Sequence, residues 1–95
     1  MYLISRTKDF EKSYKKIEQF GRLKRQTKES LAEAIDTLAQ GKKLPAGYKD
    51  HQLRGELEPY RECHIKGDLL WVYQIRKTEL LLMLVDIGTH SYLGF

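Results

Sequence analysis

Residues 60–73 read YRECHIKGDLLWVY. Two strand-like runs, Tyr60–Ile65 and a second starting at Leu69, flank a glycine, so the stretch predicts a β-hairpin. The register decides which side chains share a face. A loop of Lys66–Gly67 alone would set His64 opposite Leu69 and send Asp68 to the other face. A three-residue loop, Ile65–Lys66–Gly67, places Gly67 where positive φ is needed and sets His64 directly opposite Asp68. The second register is the expectation, because glycine suits that position; a bulge would change it.

Working outward, the second strand runs Leu69–Arg76, and RKTE (76–79) turns into a third, Glu79–Ile87. Within it LLLMLV is apolar on both faces, which predicts a central strand covered on both sides. The tail GTHSYLGF (88–95) then leaves that strand. Upstream, GKKLPAGYKDHQLRGELEP (41–59) holds three glycines and both prolines, so it reads as a long loop with room for one short strand. Loops of this length in small domains are often functional.

The first 40 residues carry helical periodicity. YLISR predicts a short first strand near Met1–Arg6. Thr7 then caps a helix with Asp9 and Glu11 in its first turn, where the helix dipole favours negative charge. Phe10, Tyr14, Ile17 and Phe20 form one apolar stripe, and Gly21 ends the helix. A second stripe runs Leu23, Thr27, Leu31, Ile35 with Ala34, and Leu38, closed by Gly41. The predicted fold is α+β in the order β-α-α-β-β-β. A helical hairpin packs on one face of a mostly antiparallel four-stranded sheet.

A chain of 95 residues makes one domain, 1–95, with a modest core. The single cysteine, Cys63, permits no intrachain disulfide and fits a reducing compartment. No signal-peptide pattern opens the chain, and its longest apolar run is too short for a membrane span. The net charge of +4 is unevenly spread, with all the basic excess in residues 1–49. That asymmetry suits an anionic partner, and equally a solvated pair of lysine-rich helices.

Three histidines, His51, His64 and His90, are the main candidates for chemistry, together with Asp68. No two histidines stand at a local metal-binding spacing, and no CxxC, HExxH, GxSxG or glycine-rich phosphate loop occurs. Histidine can take or give a proton near neutral pH. RNA cleavage needs that: a base for the ribose 2′-OH, an acid for the leaving 5′-oxygen, and cations around the phosphate. Lys49, Arg54, Arg61 and Lys66 are candidate phosphate donors. Each residue also has a purely structural explanation: His90 as a loop histidine, Asp68 as turn chemistry, Cys63 as a buried thiol. Tyr60, Trp71 and Tyr73 would likewise be sheet core.

YKDHQLRGELEPYRECHIKGDLLWVYQI together with GTHSYLGF resembles the YafQ branch of the RelE/ParE toxin superfamily. The likeness covers Tyr48–Phe95 in motif and the first 47 residues in fold order. It implies a RelE-like, microbial-RNase-like fold and a cytoplasmic bacterial toxin of a type II toxin–antitoxin pair. Such toxins cut mRNA in the A site of the 70S ribosome, against ribosomal RNA, with no metal and no cofactor. A cognate antitoxin inhibits them, and operator DNA is met only through the antitoxin complex; no membrane is involved. By motif, His51, His64, Asp68 and His90 stand at the catalytic positions. The resemblance implies His90 as general acid and Asp68, with or without His64, as general base. His51 and His64 would hold the phosphate. Two positions depart from the family pattern. Leu69 replaces a tryptophan, with Trp71 two residues on. Gly94 replaces a C-terminal phenylalanine, with Phe95 next to it as an RNA contact.

Two other functions compete. A ParE-like toxin that binds DNA gyrase without catalysis would need no His51–His64–Asp68–His90 set. A small basic nucleic-acid-binding module would be expected to carry a recognition signature such as helix-turn-helix, and none is evident. The filled motif positions favour the ribonuclease.

Overall fold

The computed structural model describes residues 1–21 and 23–94. β1 (Leu3–Arg6) leads into α1 (Lys8–Gln19) and α2 (Arg25–Ala39). Two single-turn 3-10 segments, 46–48 and 55–57, flank β2 (His51–Gln52) in the long loop. β3 (Arg61–Lys66), β4 (Leu69–Arg76) and β5 (Leu81–Gly88) follow, and α3 (His90–Leu93) closes the chain.

The start of α1 is built as its residues dictate. Thr7 Oγ1 accepts from Phe10 N at 3.0 Å and donates to Val85 O at 2.6 Å, so one side chain caps the helix and ties it to β5. A cap of this kind contributes about 1 kcal/mol. Gly21 and Gly41, just past the two helices, take φ of 67° and 81°, the left-handed exit that glycine permits. Phe10, Leu31, Ala34 and Leu38 from the helices meet Cys63, Trp71, Tyr73, Leu82, Leu84 and Ile87 from the sheet in one cluster. The helical pair therefore covers one face, as expected. Phe20 departs from its predicted stripe and stays 71% exposed.

The sheet has five strands, not four, in the order β1-β5-β4-β3-β2. The two residues of β2 pair antiparallel with β3, which uses the room predicted in the long loop. β1 joins β5 in parallel, and the other pairings are antiparallel. The strand covered on both sides is β4, where Leu69 to Tyr73 are all buried. In β5 burial alternates, because Leu82, Leu84 and Ile87 face the core while Leu81 and Met83 are partly open. β4 is the middle strand of the five, the central place expected for β5.

The hairpin register also differs from the expectation. His64 lies opposite Leu70, and Lys66 opposite Leu69, with a bulge at Ile65 between them. The loop is the two-residue pair Gly67–Asp68. Gly67 does take positive φ, 58°, while Asp68 does not, the sign pattern of a type II′ turn. Ile65 and Leu69 are both buried. The bulge leaves Ile65 without a partner on β4, so that Lys66 pairs with Leu69 and the loop tightens to two residues.

Candidate active site

β2 sets His51 directly opposite Glu62 of β3. His51 Nδ1 lies 2.8 Å from Lys49 O. Lys49 reaches that position with a left-handed backbone, φ 50°, at the end of the 3-10 turn Ala46–Tyr48. A carbonyl only accepts, so Nδ1 carries the hydrogen. Nε2 then faces Glu62 Oε1 at 3.5 Å, a contact that attracts only with a proton between the two groups. The His51 side chain is half exposed, whereas the Glu62 side chain is 4% exposed. Glu62 Oε2 has no hydrogen-bond partner among the described residues. Burying a carboxylate is costly unless it is paired, and His51 is the side chain that faces this one.

His64 stands two residues beyond Glu62 on the same strand and so on the same face. The row continues across the sheet from His64 to Leu70 to Gly88. Two residues past Gly88, His90 opens α3, with Thr89 as its N-cap. The rings of His64 and His90 meet edge to face, with centroids 6.0 Å apart and planes at 60°. Strand pairing thus collects His51, Glu62, His64 and His90 along one side of the sheet.

Asp68 is placed differently from the predicted direct pairing with His64. It is an exposed turn residue, and among the described residues it makes no side-chain hydrogen bond. With Lys66, Thr89 and Tyr92 it lines a cavity of about 530 Å³ between α1 and the C-terminal turn.

The candidate cations are dispersed. Arg61 Nε is engaged by Asp50 Oδ1 and Tyr73 Oη, both at 3.3 Å. Tyr73 Oη in turn donates to Asp50 at 2.5 Å. Burial first, and that bond second, push the Tyr73 phenol above its ordinary value. Lys49 and Arg61 line a second cavity of about 980 Å³. Lys66 Nζ donates to Gln26 at 3.2 Å, and Arg54 is an exposed residue before the turn Gly55–Leu57. Phe95 lies outside the described residues. Trp71 is fully buried and stacked on Tyr73 at 4.6 Å, so it does not replace the surface tryptophan missing at Leu69. Cys63 is buried too, and burial with the nearby Asp50 and Glu62 charges pushes its thiol up, away from reactivity. Among the described residues, no three His, Cys, Asp or Glu side chains are grouped to hold a metal ion.

Glu62 is the residue that reading the chain alone missed. Its signal lay in the spacing of RECH (61–64): Glu62 and His64 are two apart on a strand, hence on one face. Its burial and its pairing with His51 depend on β2, which only the tertiary structure reveals.

A family model for the bacterial toxin of type II toxin–antitoxin systems, YafQ, matches residues 2–94. The chain belongs to the YafQ toxin family. A metal-bound toxin from Helicobacter pylori is 42% identical, with a TM-score of 0.84 over 98% of this chain and 99% of that one. The Escherichia coli DinJ–YafQ complex gives a TM-score of 0.82 at 29% identity, over 98% of each chain. The mRNA interferase toxin YafQ of Escherichia coli K12 is 42% identical over 50 residues, 53% of this chain and 52% of that protein. The chain spans about half the length of the curated relatives it matches. The YafQ fold carries the sheet and helical pair described above. Among the described residues, no helix is long and apolar enough to cross a membrane.

Proposed function

We propose that this YafQ-family toxin is a ribosome-dependent endoribonuclease of the bacterial cytoplasm that cuts mRNA in the ribosomal A site. The observation that carries the reading is the His64–His90 pair. Two imidazoles with centroids 6.0 Å apart can flank one scissile phosphate. His64, with Asp68 on the adjoining turn, takes the proton of the ribose 2′-OH. The 2′-oxygen attacks phosphorus, the bond to the 5′-oxygen breaks, and His90 protonates the departing oxygen. A 2′,3′-cyclic phosphate remains on the upstream fragment. His51 contributes positive charge beside the phosphate, with Lys49, Arg54, Arg61, Lys66 and Phe95 as further RNA contacts.

The curated relative named an mRNA interferase supports the substrate, and the DinJ–YafQ complex supports inhibition by a cognate antitoxin. Operator DNA is reached through that antitoxin complex. The acid–base scheme uses side chains alone and assigns no step to a metal or cofactor.

The test is cleavage mapping with purified toxin on programmed ribosomes. Cuts within the A-site codon, ending in cyclic phosphate, are expected. Equal cutting of free mRNA would remove the ribosome from the mechanism, and intact mRNA in both settings would remove the enzyme.

A further inference from the structure

The C-terminal turn that carries His90 is held by a connected set of side chains from three elements. Asp86 Oδ1, on β5, accepts from Ile87 N at 2.8 Å and from Ser13 Oγ at 2.6 Å. Ser13 is a polar residue of α1 yet only 2% exposed. Its Oγ also lies 2.9 Å from Tyr92 Oη. The carboxylate can only accept, so the Ser13 proton points at Asp86 and the Tyr92 hydroxyl donates to Ser13. The chain of donors therefore runs Tyr92 to Ser13 to Asp86, from α3 through α1 to β5.

Tyr92 has a shaped seat as well as a bond. A Cβ at Gly88 would stand 2.6 Å from Tyr92 Cδ2 and 3.3 Å from Cγ. Glycine is required there by the ring, since the backbone at Gly88 is ordinary. Lys16 Nζ lies 5.3 Å from the ring centroid, and Tyr92 N donates to Thr89 Oγ1 at 3.2 Å. Tyr92 itself is 47% exposed, so hydrophobic burial alone does not account for its fixed position.

We propose that Tyr92 is a positioning residue for His90: seated on Gly88 and tied through Ser13 to Asp86, it fixes the single helical turn that presents His90 to His64. A turn of four residues is marginal without such anchors, because helix nucleation is unfavourable. The inference rests on the reading of His90 as the acid of RNA cleavage. Its geometric content, the placement of the His90 ring, is measurable apart from activity.

The experiment compares Tyr92→Phe, Ser13→Ala, their double variant and Gly88→Ala. Two readouts are taken on each: kcat and KM for cleavage of ribosome-bound mRNA, and histidine ring NMR with the His64–His90 cross-ring NOE. Losing the tie is expected to lower kcat about tenfold with KM nearly unchanged, as an interaction that only places the acid should. The double variant should be no worse than either single, since all remove one hydrogen-bond chain. Gly88→Ala should mimic them by lifting the ring. The His90 signals should shift and the NOE weaken in every case, while the far-ultraviolet circular dichroism stays that of the wild type. Wild-type kcat together with an unchanged NOE in Tyr92→Phe and Gly88→Ala would overturn the proposal. If wild type itself cuts no mRNA, the acid reading fails, and the NOE alone decides whether Tyr92 places His90.

Discussion

His64 and His90 face each other across the end of the sheet, with ring centroids 6.0 Å apart, although β4 and β5 separate them in the chain. The pairing of His64 with Leu70, and of Leu70 with Gly88, sets that distance. His90 is exposed, so its side chain holds little of the fold together. His90→Ala should leave the melting temperature unchanged and reduce mRNA cleavage by roughly 10²–10⁴-fold, the usual worth of a general acid. Growth after induction is the quick readout. A variant as toxic as wild type would give the acid role to another group.

Glu62→Gln separates charge from space-filling. The amide keeps the shape in a site where the carboxylate has one oxygen unpaired. The substitution removes a buried charge without changing its shape, and the His51 ring left behind is half exposed to water, so thermal stability should hold or rise. Cleavage should nevertheless fall, because His51 loses the partner of its Nε2. Full activity in a well-folded Glu62→Gln protein would mean that the carboxylate only fills space.

Alkaline pH should weaken the fold. Burial raises both the Cys63 thiol and the Tyr73 phenol in the folded state, from ordinary values of 9.0 and 10.0. Below those values both groups are protonated folded or unfolded, and their contribution is intact. Above them the unfolded chain releases protons that the native protein retains, so stability falls with rising pH. Thermal melts from about pH 8 to 11 should show the decline starting near these ordinary values. Tyr73→Phe should flatten the upper part of it, and an equal slope in that variant would discount Tyr73.

Chelation tests the acid–base scheme against a metal-dependent one, which matters because a relative is described as metal-bound. Cleavage in EDTA, on ribosomes whose magnesium is kept in excess of chelator, should match the untreated rate. A loss restored by a transition metal would make one of the histidines a ligand in the working toxin.

Binding to ribosomes should weaken steeply with salt, since the basic excess lies in residues 1–49, which include both long helices. The logarithm of affinity should fall linearly with the logarithm of salt concentration. Replacing one contacting lysine by alanine should reduce that slope by about one. A slope near zero would place the helices away from RNA.

The elements whose information is local were legible in the chain. Thr7 as a cap, Gly21 and Gly41 as helix exits, and the three long strands all rest on residues within a few positions of one another. What escaped depends on distant packing. The bulge at Ile65 shifts the register by one residue beside the turn, a choice the turn residues do not encode. β2 is two residues long and becomes a strand only by meeting β3. α3 is too short for periodicity, although Thr89 before it and Gly94 after it are ordinary helix borders. In the site, motif order named the histidines. The partner of His51, and the exposed turn position of Asp68, required the assembled sheet.

β1 pairs in parallel with β5, and Thr7 donates to Val85, so segments from opposite ends of the chain close the sheet beside His90. Contacts that span nearly the whole chain form late in folding. During synthesis the helices and β1 emerge first and wait without their strand. His90 comes after β5 in the chain, so the histidine pair cannot exist while β5 is still being made. The cleavage site proposed above therefore cannot assemble until β5 has joined the sheet and α3 has followed it.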